Sequence, residues 1–113
     1  MSNLTPHDVI ATLESISRDI QKTTEEMEAL DKKAVMARVA HKRAYAESFV
    51  VTDGPMDMKR YTSDLQTSNT LLALELAEQE YRAAQGALRA SRDRLEVGRS
   101  ISALVRMEWG ANG

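Results

Sequence analysis

The chain has 113 residues, of which 28% are charged and only 4% aromatic, and its formal net charge is -2. This length allows one domain at most, and the composition suits long helices better than a β-sandwich or a compact enzyme core. The absence of Cys excludes disulfides and thiolate chemistry and makes the cytoplasm the expected location. We expect no signal peptide and no membrane span, because no basic leader and no apolar run of about 18 residues occurs.

The first predicted element is one long helix over residues 5–50. Thr5 can cap free backbone N–H groups, Pro6 fits the first helical position, and Asp8 suits the positive end of the helix dipole. No Gly or Pro follows before Gly54. A heptad pattern runs along this helix and predicts a narrow contact face for a partner helix. Its residues are Val9, Leu13, Ile16, Ile20, Thr23, Met27, Leu30, Ala34, Ala37, His41 and Ala44.

A turn is predicted over residues 51–55, since Asp53-Gly54-Pro55 is turn chemistry. A second helix, or a bent one, should then run over residues 55–108, with Pro55 in its first turn, Asp53 or a neighbour as its cap, and a frayed tail at 109–113. Ser68-Asn69-Thr70 contains weak helix formers and is a candidate interruption. Gly86 and Gly98 indicate close approach of a neighbouring helix.

The contact pattern of the second helix has two parts. A change near Leu71–Leu76 predicts a bend or a shift from one partner surface to another. The first part contains Tyr61, Leu65, Ser68, Leu72 and Leu76. The second part contains Leu74, Ala77, Tyr81, Ala84, Leu88, Ser91, Leu95, Gly98 and Val105.

Charge alternates in blocks along the chain. Residues 1–31 carry -5, 32–60 carry +4, 61–81 carry -4 and 82–113 carry +3. Folding the chain back at Gly54 sets blocks of opposite sign side by side, which predicts an all-α, antiparallel helical hairpin resembling a coiled coil. One hairpin cannot cover all its apolar residues, so we expect self-association into a homo-oligomer. The expected interface residues are Leu71, Leu74, Leu76, Val97, Ile101 and Leu104.

Nothing in the sequence indicates catalysis. His7 and His41 lie about 50 Å apart along one helix and cannot converge within a chain. No nucleophile with its base, phosphate-binding Gly loop or metal-ligand spacing occurs, so we expect no enzyme, no metal and no cofactor. The glutamate clusters at residues 25–28 and 75–80 are expected to be solvated or to pair with the opposite helix.

A basic segment with interspersed tyrosines is the candidate functional site. Cations neutralise phosphates and tyrosines stack on unpaired bases, so the pattern predicts contact with single-stranded DNA. The alternative is that these charges are solvated, with Lys32 and Lys33 paired to Glu75 and Glu78. The candidate residues are Lys32, Lys33, Arg38, His41, Lys42, Arg43, Tyr45, Lys59 and Arg60.

The order and spacing of these basic segments resemble the UvsY recombination mediators of T-even phages, over roughly residues 30–107. The segments concerned are Lys32-Lys33, Arg38, His41-Lys42-Arg43, Met56–Tyr61 and Arg94–Ile101. The resemblance implies a ring-like homo-oligomer in the host cytoplasm that binds single-stranded DNA, a single-strand-binding protein and a recombinase. The family's Lys-x-Arg motif falls on residues 41–43, where His41 stands in place of its Lys. Lys42 or Arg38 would therefore have to supply that charge.

Two other classes of function remain open. One is a structural or adaptor coiled coil, such as a virion-assembly or secretion chaperone, in which the charges serve only helix pairing. The other is a prefoldin-like holder of unfolded chains, for which the apolar Phe49-Val50-Val51 near the turn is the only indication.

Overall fold

The computed structural model describes residues 4–112, and all its regular structure in that range is helical. Helix α1 comprises Pro6–Val51, α2 comprises Met56–Gln66 and α3 comprises Ser68–Asn112. The predicted all-α class is therefore confirmed. The chain forms two compact units: unit 1 contains the residues up to 26 and from 84 onward, and unit 2 contains residues 27–83.

Helix α1 begins with the predicted cap. The backbone N–H of Asp8 donates to Thr5 Oγ1 over 3.1 Å, and the N–H of Thr5 donates back to the Asp8 carboxylate over 3.3 Å. The Asp8 side chain here takes the role of the Glu in a capping box. Hydrogen bonding from the Thr5 side chain, and then from its backbone, lowers the pKa of Asp8 from its ordinary value of 3.8.

The predicted contact face of α1 is confirmed. All eleven of its residues, from Val9 to Ala44, are buried or half-buried, and Ser48 continues the same spacing as a buried residue. In unit 1 this face contains Val9, which is 5% exposed, and in unit 2 it contains Ala34, which is 4% exposed. The narrow face is the one that α1 presents to its partner segments in each unit.

The turn between α1 and α2 contains a backbone conformation that only Gly readily adopts. Gly54 has a φ of +110°, in the left-handed region. The expectation that Asp53 caps the second helix is wrong: Pro55 occupies the N-cap position, and no side chain caps it. The backbone N–H groups that such a cap would bind belong to the first residues of α2, which are exposed to solvent, so the helix can begin without one.

The predicted second helix is divided at Thr67, one residue before the expected interruption. Thr67 has φ -108° and ψ 15°, outside the helical region, yet its N–H still donates to the Ser63 carbonyl over 3.0 Å. Helix α3 then continues without a break through residues 71–76, where a bend was expected, and reaches Asn112 instead of ending at residue 108. Residue 113, the last of the predicted tail, lies outside the described residues, as do residues 1–3.

The contact face predicted for the start of the second helix is wrong. Tyr61, Leu65 and Leu72 are 70%, 78% and 58% exposed. In unit 2 the contact positions of α2 and the start of α3 are instead Ser63, which is fully buried, and Thr67. The Thr67 hydroxyl donates to the Ser63 carbonyl over 2.6 Å. This hydroxyl therefore has a hydrogen-bond partner on the same segment and can be buried at little cost.

The later part of the α3 pattern is confirmed. Every predicted contact residue from Leu74 to Val105 is buried or half-buried. In unit 1, α3 approaches α1 closely at Gly98, where a Cβ atom would lie 2.6 Å from Leu13 Cδ2. Gly86 is different, since a Cβ there would meet nothing within 4 Å. Close approach was therefore predicted correctly at one of the two glycines.

Within residues 4–112, none of the three helices contains a stretch both long and apolar enough to cross a lipid bilayer.

The two helical glycines of α3 offer a matched test of packing in unit 1. We expect Gly86→Ala to raise the free energy of unfolding by about 1 kcal/mol, because Ala is the better helix former and space is available. Gly98→Ala gains the same propensity, but Leu13 must move to admit the new methyl group. Urea unfolding should therefore rank Gly98→Ala below Gly86→Ala in stability, and equal stabilities would contradict the close approach.

The capping box makes the stability of the α1 N-terminus depend on pH. Folding lowers the pKa of Asp8, so the charged carboxylate stabilises the folded state above the unfolded pKa of 3.8. That contribution is lost as the pH falls through the lower, folded pKa. Thermal unfolding at pH 7 should give the wild-type protein a higher melting temperature than Asp8→Asn. The difference in melting temperature should vanish at strongly acidic pH. When Thr5 is also changed to Ala, the difference in melting temperature caused by Asp8→Asn should already be smaller at pH 7, because the Thr5 side chain no longer takes part in the capping box.

Candidate nucleic-acid interface

Two of the candidate cations are held by carboxylates inside unit 2. Lys33 Nζ lies 3.1 Å from a Glu80 oxygen, and Arg38 donates to Glu78 over 3.2 Å. These pairs place the basic segment of α1 alongside the acidic start of α3, as the charge blocks predict. Lys33 meets Glu80 and not Glu75 or Glu78, the partners suggested for the lysines. Both pairs are substantially exposed, so each contributes less than about 1 kcal/mol.

The charge-block prediction for unit 1 is not matched by ion pairs. Among the described residues of this unit, no Arg of α3 comes within 4.0 Å of a carboxylate of α1. Arg94 instead donates to Ser91 Oγ on its own helix over 3.0 Å. The antiparallel contact of α1 with α3 in this unit therefore depends on apolar packing, such as Leu13 against Gly98.

Three aromatic rings form a column along α1 in unit 2, which we call the aromatic column: His41, Tyr45 and Phe49. The His41 and Tyr45 rings meet edge to face with centroids 6.4 Å apart, and the Tyr45 and Phe49 rings stack with centroids 6.3 Å apart. The column arises because residues four apart on a helix are neighbours on one face. All three rings are half-buried, so each keeps part of its surface open.

Contacts from α2 and α3 fix both ends of the aromatic column. At one end, His41 Nδ1 is hydrogen-bonded to Thr70 Oγ1 over 3.0 Å. At the other end, Lys59 Nζ lies 5.4 Å from the centre of the Phe49 ring, a cation–π contact. Next to Phe49, the Ser48 hydroxyl donates to Gln66 Oε1 over 2.5 Å.

The remaining candidate cations divide between two faces of α1. Lys42 follows Arg38 by one turn and precedes Tyr45 by three residues, so it lies beside the aromatic column. Lys32 and Arg43 lie instead on the side of α1 opposite its contact face. No described carboxylate lies within 4.0 Å of Lys32, Lys42 or Arg43, and all three are exposed.

Beyond the turn, Arg60 and Tyr61 do not join the aromatic column. Arg60 makes a long 4.0 Å contact to Asp57 on its own helix. Tyr61, an expected stacking residue, lies on the exposed outer side of α2. Sequence reasoning missed Phe49, which it assigned only to the tip of the hairpin. Its four-residue spacing from Tyr45 was the available signal.

The expected oligomer interface residues have different environments. Leu74 is half-buried at a contact position of unit 2. Leu71 and Leu76 of the same unit are 43% and 50% exposed. Of the residues in unit 1, Val97 and Leu104 are 60% and 66% exposed, and Ile101 is 38% exposed.

Within residues 4–112, His, Asp and Glu side chains nowhere gather in a group of three suited to a metal ion. None of the protein-family models, curated proteins or solved structures compared with the chain matches it.

Proposed function

We propose that this protein is a single-stranded-DNA-binding accessory protein that acts by binding and not by catalysis. The observation that carries the proposal is the aromatic column beside Lys42 and Lys59. Half-open rings supply stacking surfaces for unpaired bases, while the neighbouring cations neutralise the backbone phosphates. Recognition of this kind reads charge and stacking, so it requires no particular base sequence.

The wider role is proposed from the resemblance of the basic segments to the phage recombination mediators. The protein would help to load a recombinase onto DNA coated by a single-strand-binding protein, in the cytoplasm of the host cell. The motif region supports this role through Lys42, which lies beside the aromatic column and can supply the charge that His41 lacks.

Self-association is part of the proposal. In unit 1, Val97 and Leu104 are large apolar side chains that remain more than half exposed on α3. Apolar side chains repeated along one helix indicate a surface that a further helix covers. A homo-oligomer would also place several DNA-binding faces in one particle and so increase its avidity for a long strand.

A structural coiled coil without a nucleic-acid role is the second candidate. It is supported by the ion pairs Lys33–Glu80 and Arg38–Glu78, which use two of the candidate cations inside the chain. In that case Lys42 and Arg43 would simply be solvated charges. Direct measurement of DNA binding separates the two functions.

Two adjacent residues of α1 provide the matched test of DNA binding. We expect Lys42→Ala to weaken binding to a single-stranded oligonucleotide and to reduce the log–log salt slope by about 0.7 per subunit engaged. Arg43→Ala removes the same charge one residue away, about 100° further around α1 and away from the aromatic column, and should leave the slope unchanged. Fluorescence anisotropy on a strand of roughly ten nucleotides, within one binding site, makes the comparison.

The controls exclude a general effect of charge. Arg92→Ala with Arg94→Ala removes two cations from unit 1 and should also leave the slope unchanged. Equal losses from the Lys42 and Arg43 variants would contradict the assignment of the DNA-binding face. No detectable binding by the parent at low salt would favour the structural coiled coil.

Leu104 offers a test of self-association in unit 1. Leu104→Asp should lower the oligomer size, because it places a charge in an apolar contact between copies. Light scattering on the full chain measures the size, and circular dichroism checks that the helices remain. A parent protein that is monomeric at micromolar concentration would remove the proposed self-association.

A further inference from the structure

Helix α1 carries a second, exposed line of residues, four of them apolar and two basic, on the side opposite its contact face in unit 2. We call this set the outer ridge: Lys32, Val35, Val39, Arg43, Ala46 and Val50. Its members are three or four residues apart, so they form one line along the helix. Val35, Val39 and Val50 are 43%, 53% and 76% exposed. Nothing else in unit 2 covers them.

The outer side of α2 and of the start of α3 carries a matching surface. We call it the leucine stripe: Met58, Tyr61, Leu65, Leu72 and Leu76. Each of its side chains is at least half exposed. Together they present apolar surface on the order of 500 Å², the upper end of what an ordinary monomer exposes. A stripe of this size and regular spacing is typical of a helix-binding surface.

The arrangement of unit 2 reverses the usual distribution of polar and apolar residues. Its buried contact positions include the hydroxyl residues Ser48, Ser63 and Thr67, whereas four of its six leucines are exposed, namely Leu65, Leu71, Leu72 and Leu76. Burying leucines stabilises a helix pair far more than burying hydroxyls. The sequence therefore retains its strongest apolar surface for a contact that one chain does not make.

The charges beside the two surfaces have equal spacing and opposite sign. Lys32 and Arg43 belong to the outer ridge and are eleven residues apart. Asp64 and Glu75 flank the leucine stripe and are also eleven residues apart. Eleven residues make three helical turns, so Lys32 and Arg43 lie on one side of α1. Asp64 on α2 and Glu75 on α3 are separated by Thr67, but the backbone hydrogen bonds from Thr67 to Ser63 and from Leu71 to Thr67 keep the helical spacing across that junction. Among the described residues, none of these four has an opposite charge within 4.0 Å.

We propose that the leucine stripe of one copy binds the outer ridge of a second copy, with the two helical segments antiparallel. In this register Lys32 meets Glu75 and Arg43 meets Asp64. The same register sets Val35 opposite Leu72 and Ala46 opposite Tyr61. The parallel alternative also satisfies the charges, but it sets Val35 opposite Thr67, which is buried within unit 2 and is not free to make the contact. Val50 meets a charged residue in both registers, Asp57 in the antiparallel one and Arg82 in the parallel one.

Pairing of the leucine stripe with itself is disfavoured by the same charges. An antiparallel self-pairing that sets Leu65 opposite Leu72 brings Asp64 close to Glu75 of the other copy. It also leaves the outer ridge uncovered. One contact between ridge and stripe covers both surfaces and neutralises all four charges.

The proposed contact is head-to-tail, so it repeats from copy to copy into a closed ring or an open chain. This inference rests on the proposed self-association and adds to the exposed Val97 and Leu104 of unit 1 a second contact, made by two named surfaces of unit 2. It leaves the aromatic column accessible, since the rings lie on a different side of α1 from the outer ridge. Lys42 borders the ridge, three residues from Val39 and four from Ala46, and in this register it lies opposite Leu65. Particle size reports the contact between copies, and affinity for single-stranded DNA reports binding at the rings.

Charge reversal on each surface tests the proposal with the full chain. The variants are K32E/R43E, which reverses the outer ridge, and D64K/E75K, which reverses the flank of the leucine stripe. All four positions are exposed on helices, so folding should persist, as circular dichroism will check. Sedimentation velocity should show each variant alone shifted toward the 12.6 kDa single chain. An equimolar mixture of the two should recover the particle size of the parent, because each copy now meets its complement.

A single chain with all four reversals should assemble like the parent, since its surfaces are again complementary. The proposal is overturned if both double variants keep the parent size, or if K32E/R43E alone still assembles through a stripe paired with itself. An oligomeric parent that fails to bind single-stranded DNA would contradict the proposed function while leaving this contact intact. If the parent binds single-stranded DNA but the charge reversals do not change the particle size, the proposed contact is contradicted and the proposed function is left intact.

Discussion

The structure depends on one narrow contact face that runs the length of α1. A four–three spacing gives a helix only one or two inward positions per turn, so every other side chain on it is left exposed. In unit 2 this face receives α2 and the start of α3, and in unit 1 it receives the rest of α3. The remaining surface of α1 is then available for the aromatic column and the outer ridge.

The fold could be predicted where one pattern of contact residues continued along a helix without interruption. Along α1 no Gly or Pro interrupts the spacing, so Val9 to Ala44 all fell on the correct side. Between residues 61 and 76 two patterns overlap, one of leucines and one of hydroxyls. Hydrophobicity selects Leu65 and Leu72 for the inside, whereas the structure places Ser63 and Thr67 there. A sequence gives the spacing of each pattern, but not which partner each pattern faces.

The candidate site was predictable in composition more than in arrangement. Helical spacing shows that Arg38, Lys42 and Tyr45 share a face, because this depends on α1 alone. The ion-pair partners of the lysines depend on the register between the helices. A shift of two residues is enough for Lys33 to pair with Glu80 instead of Glu78. The part played by Lys59 over Phe49 depends on the turn at Gly54, whose exact path the sequence does not specify.

The hydroxyl-rich interior of unit 2 has a consequence for the thermodynamics of the chain. Ser63 and Thr67 contribute little apolar burial, so the free energy that holds this unit together in a single copy is modest. In the proposed assembly the leucines leave water only when copies meet. By mass action, the stability of unit 2 then rises with protein concentration, and dilution alone weakens the fold. Assembly would then add stability to a fold that a single copy already has, by an amount that depends on how much protein the cell makes.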